Sequence, residues 1–204
     1  TRTPKMTSIH LIGGPMKCGK TSRVVQIVDT ATLKEQTYLV FNNKLDTRSG
    51  EGFVKTHGGV HGIKSVPATH VESLCSEALP ALRRYMPDIL VVEEFQFFGE
   101  VDAFEFLLAA RQLVRKRIYV VGLMTDANLK PFKTMTYIWV LFKRIEVLTA
   151  VCEHGVCKAA ATGTILKDNA EIAPAAATHT EGGNFIQVGA SIYKPVCIEC
   201  ARAV

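Results

Sequence analysis

The chain has 204 residues, of which 48% are hydrophobic and 21% are charged, and its formal net charge is +5. This composition is close to that of an ordinary soluble globular protein with one domain, or one domain and a small addition, and it excludes a disordered, collagen-like or coiled-coil chain. The mild positive charge suits an anionic partner such as a nucleotide, but it is too diffuse to indicate a nucleic-acid groove.

The first 150 residues alternate predicted strands and helices. Strands are predicted at 8–13, 37–41, 88–94, 117–123 and 145–151, with a weaker one at 60–67, and helices at 21–31, 71–85 and 101–116. Residues 42–59 are polar and contain glycine, which predicts a loop. The segment 88–94 is almost continuously apolar before its final acids, as is typical of a strand buried on both faces of a parallel sheet. The alternation predicts an α/β fold with a parallel sheet.

A phosphate-binding motif lies between the first predicted strand and helix. Residues 14–21 read GPMKCGKT and match GxxxxGK[ST] in the required strand–helix context. The glycines let backbone N–H groups surround phosphate oxygens, and the helix N-terminus adds a favourable dipole. We expect Lys20 to neutralise the β- and γ-phosphates and Thr21 to hold Mg²⁺; the alternative is a glycine-rich turn capped by a surface lysine. The predicted ATP- and Mg²⁺-binding residues here are Gly14, Pro15, Met16, Lys17, Cys18, Gly19, Lys20 and Thr21.

Two acids end the buried strand at 88–94. Ligands bind at the carboxyl edge of open α/β sheets, so Glu93 is expected to reach the Mg²⁺ shell and Glu94 to take a proton from an acceptor hydroxyl. The alternative is a solvated strand end with incidental charge. The next four residues are FQFF, and aromatic rings beside phosphate chemistry suggest stacking on a base, although such clusters more often belong to a core.

Residues 152–204 differ in composition from the rest. They contain four of the six cysteines, many Ala and Gly, and few large apolar residues. Such a segment does not build a conventional core by itself, so we predict two domains, 1–149 and 150–204.

The four late cysteines form two close pairs. Cys197 and Cys200 have the spacing of a zinc knuckle, and Cys152 and Cys157 are separated by four residues. His154 is an alternative ligand to Cys157. Four thiolates on one Zn²⁺ would stabilise a part of the chain with a thin core. The alternative is four free thiols.

The chain shows no membrane or export signal. Its apolar runs are shorter than the ~20 residues of a membrane span, and Gly13, Gly14 and Lys17 interrupt the N-terminal apolar stretch. We therefore expect a cytoplasmic protein without a membrane or nucleic-acid partner.

Taken together, these motifs resemble the type II thymidine kinases, the human cytosolic thymidine kinase-like family. The resemblance spans about residues 8–200 and is carried by the GPM form of the phosphate loop, the string EEFQFF at 93–98 and the four cysteines. It also includes the following residues: Asp46-Thr47-Arg48-Ser49, Thr56-His57, Gly122-Leu123, Phe132 and Tyr193. The chain departs from the family pattern at Lys17, Gly58, Glu93 and Phe95.

The resemblance implies a fold, a reaction and a set of site residues. The fold is a P-loop NTPase-like (RecA-like) sheet domain followed by a small zinc-binding domain with a lasso-like loop over the nucleoside. The reaction is transfer of the ATP γ-phosphate to the 5′-hydroxyl of thymidine, with dTTP as feedback inhibitor and a homotetrameric assembly. The implied catalytic residues are Glu94 as base, Lys20 and Arg48, and Glu93 and Gln96 join the ATP and Mg²⁺ site. The implied substrate-binding residues are Met16, Asp46, Phe97, Phe132, Val188, Gly189 and Tyr193.

Two other functions stay open at this stage. One is a kinase for another nucleoside, since an aromatic pocket does not by itself separate thymidine from deoxyuridine or deoxycytidine. The other is a non-catalytic nucleic-acid-binding protein, although residues 152–204 lack the basic face with interleaved aromatics that such a role requires.

Overall fold

The computed structural model describes residues 6–46, 52–56, 64–167, 179–181, 184–186 and 192–202. Its strands are β1 (Ser8–Gly13), β2 (Tyr38–Asn43), β3 (Phe53–Lys55), β4 (Ser65–Pro67), β5 (Thr69–Val71), β6 (Ile89–Val92), β7 (Arg117–Gly122), β8 (Phe142–Val147), β9 (Ala150–Val151), β10 (Ala160–Ala161), β11 (Gly163–Leu166), β12 (His179–Glu181), β13 (Asn184–Ile186) and β14 (Tyr193–Val196). Its helices are α1 (Lys20–Leu33), α2 (Leu79–Tyr85), α3 (Glu100–Leu113), α4 (Lys133–Tyr137) and α5 (Ile198–Ala201), with a π-helical turn at Leu74–Ala78 and 3₁₀ turns at Phe95–Phe97 and Trp139–Leu141.

A six-stranded sheet in the order β5-β2-β6-β7-β1-β8 forms the centre of the fold. Every neighbouring pair in it is parallel, which confirms the predicted α/β class. Parallel strands end at the same edge of a sheet, and here that edge carries the phosphate loop after β1 and the acids after β6. Gly13 and Gly122 are register partners at this edge, so the ends of β1 and β7 lie side by side beneath the site.

Apolar side chains cover both faces of the sheet. On one face, Val24, Val25 and Val28 of α1 pack with β3 and β4 residues such as Val54 and Val66. The opposite face is covered by helices α2, α3 and α4 and contains the larger rings. Strands buried on both faces need nearly continuous apolar sequence, and the four residues of β6 are all buried.

The cysteine-containing segment has a small apolar cluster of its own. Its buried members are Cys152, Ala161, Ile165, Val196 and Cys197. Two short antiparallel pairs, β9 with β10 and β11 with β14, frame this cluster. The division into domains 1–149 and 150–204 stays a prediction.

The structure corrects the helix predicted at 71–85. Val71 ends strand β5, pairing with Asn43 of β2, and the helical part begins after Ser73 with the π-helical turn. The Ser73 side chain accepts a hydrogen bond from the N–H of Ser76, as an N-cap does. Pro80 lies in the first turn of α2, directly after the π-helical turn.

Three other expectations change at their boundaries. The segment 42–59, predicted as a loop, contains β3, which pairs with β4. Only residues 65–67 of the weak strand at 60–67 are described as strand. The strand predicted at 145–151 is split into β8 and β9, and α4 was not predicted. No helix in the described ranges is long and apolar enough to cross a membrane.

Candidate active site

The phosphate loop turns sharply between β1 and α1. Gly14 and Gly19 have φ of +153° and +87°, values that L side chains rarely adopt. A Cβ at Gly14 would lie 2.4 Å from the backbone oxygen of Leu148, so only glycine fits there. The Lys20 Nζ donates to the backbone oxygens of Gly14 and Pro15 at 3.1 and 2.6 Å. The ammonium group is therefore held within the turn of the loop.

Thr21 and Glu93 meet across the site. Thr21 is in the first turn of α1 and hydrogen bonds to the Glu93 carboxyl group, which follows β6 and is only 3% exposed. Burial raises the pKa of Glu93 to about 8, and the charges of Glu94 and Asp46 act in the same direction. The charge of Lys20 and the Thr21 hydrogen bond oppose this rise. A hydroxyl and a carboxylate beside a lysine are suited to hold a magnesium–phosphate group.

Glu94 is held by Gln96. The backbone of Glu94 is left-handed, with φ of +49°, as the chain leaves β6. The Gln96 Nε2 donates to Glu94 Oε2 at 2.6 Å, and its Oε1 accepts from the N–H of Leu123 at 3.0 Å. A Cβ at Gly122 would lie 2.4 Å from that same Oε1. Glycine at 122 thus lets the buried Gln96 bridge Glu94 and the end of β7; an ATP or Mg²⁺ contact by Gln96 stays a prediction.

Asp46, whose charge acts on Glu93, is held by residues that the sequence analysis missed. Asn42, on β2, donates from Nδ2 to Asp46 Oδ2 at 3.0 Å. The same Nδ2 is 3.2 Å from Nε2 of His70, on β5. A signal for these residues was present in the sequence, since Asn42 and Asn43 end an apolar strand. Polar residues in that position lie at the edge of the sheet that carries the site.

The aromatic string at 95–98 divides between core and site. Phe95 and Phe98 are fully buried in the core on the α2–α4 face of the sheet, as the core alternative for this string has it. Phe97 is half-buried and makes an edge-to-face contact with Phe132, with ring centroids 6.3 Å apart. Tyr193, on β14, is buried.

The phosphate loop is also bonded to the cysteine-containing segment. The Met16 N–H donates to Thr164 Oγ1 at 2.8 Å. Lys17 Nζ forms an ion pair with Glu153, 2.8 Å from Oε2. Thr164 and Glu153 were not predicted, because nothing local in the sequence links them to residues 14–21.

Four cysteines converge as the sequence analysis expected. The sulfur atoms of Cys152, Cys157, Cys197 and Cys200 all lie within 4.8 Å of one another. His154 is not in this group, and its Nδ1 is buried without a hydrogen-bond partner among the described residues. Cys157 therefore completes the group.

The spacing of these thiols fits a tetrahedral metal ion. A metal–sulfur distance of ~2.3 Å gives sulfur–sulfur edges of about 3.8 Å, and the Cys157 and Cys197 sulfurs are 3.9 Å apart. Burial raises the pKa of Cys152, but N–H groups of Cys197 and His154, together with the thiols of Cys157 and Cys200, outweigh it and lower the value to about 7. The pKa values of Cys197 and Cys200 are shifted upward by their neighbouring thiols and by burial. Thiolates are the ligand form of cysteine, so Cys152 is the member of the group that ionises most readily.

Three predicted site residues lie outside the described ranges. They are Arg48, Val188 and Gly189. His57, which contributes to the resemblance, also lies outside them.

Comparison with known proteins gives consistent matches over nearly the whole chain. The sequence model of the thymidine kinase family matches residues 7–201. The thymidine kinase of Chloroflexus aurantiacus is 25% identical over 202 residues, covering 98% of this chain and 97% of that protein. The thymidine kinase of Pseudothermotoga lettingae is 32% identical over 167 residues, covering 80% and 85%. That of Amsacta moorei entomopoxvirus is 27% identical over 194 residues, covering 95% and 97%.

Proposed function

Because the chain belongs to the thymidine kinase family, we propose that it transfers the γ-phosphate of ATP to the 5′-hydroxyl of thymidine, giving ADP and dTMP. The observation that carries this proposal is the junction of the phosphate loop with the acidic end of β6. There Thr21 hydrogen bonds to Glu93, with Lys20 close enough for its charge to act on that carboxyl group.

The phosphate loop is proposed to hold Mg²⁺–ATP. Gly14 to Gly19 surround the phosphates, Lys20 neutralises the β- and γ-phosphates, and Thr21 and Glu93 are the candidate Mg²⁺ ligands. Mg²⁺ would supply charge neutralisation during transfer. Glu93 would hold the cation in its ionised form, which requires that the carboxyl group lose its proton to solvent.

Glu94 is proposed as the general base for the 5′-hydroxyl. A base must be held within hydrogen-bond reach of the proton that it takes, and Gln96 restricts the Glu94 carboxylate through the 2.6 Å bond. Arg48 is proposed to stabilise the transferred phosphoryl group. Positioning and electrostatics supply most of the rate in phosphoryl transfer.

The nucleoside pocket is proposed to lie between the phosphate loop and the aromatic pair. Phe97 and Phe132 would enclose the thymine ring, and the edge-to-face contact between them keeps the Phe97 ring in place. The other proposed substrate-binding residues are Met16, Asp46, Val188, Gly189 and Tyr193.

The group of Cys152, Cys157, Cys197 and Cys200, called the cysteine centre below, is proposed to bind structural Zn²⁺. Four protein ligands leave no open position on a tetrahedral ion, which favours a structural over a catalytic role. We also propose that residues 150–204 form a separate domain around this centre, which the separate apolar cluster supports. Family membership supports three further proposals: a cytoplasmic location, a homotetramer and feedback inhibition by dTTP.

A nucleoside panel tests the proposed reaction. Purified protein is incubated with Mg²⁺–ATP and thymidine, deoxyuridine, deoxycytidine or a purine nucleoside, and the products are separated by chromatography. We expect dTMP as the main product. Glu94→Gln should bind both substrates and lose most turnover, whereas Glu105→Gln, a matched change on the exposed side of α3, should not.

Two outcomes would contradict this proposal. If another nucleoside is phosphorylated faster than thymidine, that nucleoside is the substrate. No product from any nucleoside, in folded protein with metal bound, would remove the kinase function.

A further inference from the structure

A buried polar network adjoins the acidic end of the site, and two of its members, Asn42 and His70, have no part in the chemistry proposed above. Asn42 is its centre, with 0% of its surface exposed. It contacts Asp46 on one side and His70, on edge strand β5, on the other. The network thus connects the edge of the sheet to a carboxylate whose charge acts on Glu93.

The hydrogen bonds of Asn42 fix the direction in which its amide faces. Its Oδ1 accepts from the N–H of Asn43 at 2.9 Å, so the NH₂ group faces the other two partners. Each of its two hydrogens then has one acceptor, Asp46 Oδ2 and His70 Nε2. It follows that His70 accepts through Nε2 and carries its proton on Nδ1, which is buried and has no hydrogen-bond partner among the described residues.

The backbone around Asp46 is also anchored by Asn43. The Asp46 N–H donates to the Asn43 oxygen at 3.0 Å, and the Leu45 N–H donates to Asn43 Oδ1 at 2.9 Å. Asp46 is only 4% exposed, and a buried carboxylate requires donors around it. Removing the Asn42 amide leaves these two bonds in place, but it takes away the acceptor of the Asn43 N–H and one constraint on the direction of the carboxylate.

We propose that Asn42 is a positioning residue for the kinase reaction: it orients the Asp46 carboxylate toward the substrate, and His70 supports this amide orientation by accepting its second hydrogen. The inference rests on the proposed function, in which Asp46 belongs to the substrate site. Asn42 and His70 act through Asp46 and touch no substrate themselves.

A double-mutant cycle on the full chain tests whether Asn42 acts through Asp46. Asn42→Leu replaces the amide with an apolar group of similar size. We expect it to lower kcat/KM for thymidine about 10- to 100-fold, the range for a lost hydrogen bond to a charged group. In an Asp46→Asn background the same change should cost less than about threefold, because the carboxylate that it orients is already gone. An equal loss in both backgrounds would overturn the proposal.

A second carboxylate, that of Asp102, provides the control for a general loss of folding stability. Asp102 holds the π-helical turn through the N–H groups of Leu74 and Cys75, at 2.7 and 2.9 Å. Asp102→Asn should lower the thermal midpoint, and its effect on kcat/KM should add to that of Asp46→Asn. Coupling between these two carboxylates would mean that the cycle measures fold damage, which would remove the support for Asn42.

Variants at His70 still test the proposal if Asn42→Leu does not fold. His70→Gln offers Asn42 another acceptor, whereas His70→Leu offers none. We expect His70→Leu to lower kcat/KM about 3- to 10-fold and His70→Gln to recover most of that loss. Equal activity of the two variants would remove His70 from the proposal.

The His70 tautomer gives a readout that does not need activity. Proton–nitrogen correlation spectra of the imidazole should show the Nδ1–H form in the wild-type protein and a mixture in Asn42→Leu. An Nε2–H form in an active kinase would overturn this inference alone. The Nδ1–H form in a protein that phosphorylates no nucleoside would overturn the proposed function and leave the hydrogen-bond network intact.

Discussion

Gln96 donates a 2.6 Å hydrogen bond to Glu94 from two residues further along the chain, across a left-handed turn. Its other amide atom is bonded to the N–H of Leu123, at the end of β7. The proposed base is thus fixed to the neighbouring strand by one buried side chain. The glycine at 122 provides the space for this arrangement.

Gln96→Leu should therefore lower kcat more than KM. We expect turnover to fall about 10- to 100-fold, since a misplaced catalytic group costs rate in the transition state, while the KM for ATP changes less than threefold. Steady-state kinetics on both substrates measure this, with Gln112→Leu on the exposed side of α3 as the matched control. A rise in KM with unchanged kcat would place Gln96 in substrate binding instead.

Glu93 should make the stability of the protein depend on pH. Its folded-state pKa is about 8, above the ordinary value of 4.5. The unfolded chain therefore binds fewer protons between these values, and stability falls as pH rises from about 4.5 through 8. Glu93→Gln removes this dependence and should raise the free energy of unfolding by roughly 2–5 kcal/mol at pH 8.5, with little change at pH 4.5. Denaturant titrations at both pH values measure the difference, and an equal effect at both would contradict the raised pKa.

The raised pKa of Glu93 also predicts that a proton is released when the metal–nucleotide binds. At pH 7 a group with a pKa of about 8 is mostly protonated, and coordination requires the ionised form. Calorimetric titrations of Mg²⁺–ATP in buffers of different ionisation enthalpy should give close to one proton released. Glu93→Gln should abolish the buffer dependence; release that persists in this variant would come from another group.

The cysteine centre should contain one tightly bound zinc ion. Elemental analysis is expected to give one equivalent per chain, and Cys197→Ser should reduce it and lower the thermal midpoint, because metal binding contributes directly to folding. Cys75→Ser is the matched control, since Cys75 lies outside the four-thiol group. An active protein without metal would contradict this prediction.

The ion pair between Lys17 and Glu153 should contribute little to stability. Both side chains are well exposed, at 37% and 40%, and exposed pairs contribute about 0–1 kcal/mol. Glu153→Gln is therefore expected to change the free energy of unfolding by less than about 1 kcal/mol and the KM for ATP by less than threefold. Denaturant titration and kinetics check both. A large rise in KM would show that the pair holds the phosphate loop in its active shape.

Sequence patterns predicted those parts of the structure that are formed by consecutive residues. The phosphate loop is eight consecutive residues, and β6 is a continuous apolar run, so both could be placed without tertiary information. The helical part of the segment predicted at 71–85 begins only after Ser73, whose hydroxyl donates to Asp102, 29 residues away. Asn42 and His70 are 28 residues apart. No periodicity encodes such contacts. The parallel pairing of β2 with β5 brings Asn42 to His70, and the packing of α3 brings Asp102 to Ser73.

The hydrogen bond from Met16 to Thr164 spans 148 residues, and this separation matters during protein synthesis. At 5–20 residues per second, the ribosome needs roughly 7–30 s to add that many residues. The segment that will surround the phosphates is made early, yet its partner on β11 follows only after the whole parallel sheet. A nascent chain that already has the GPMKCGKT sequence therefore still lacks part of the support for its loop, and it completes the site only once β11 has been made and has docked.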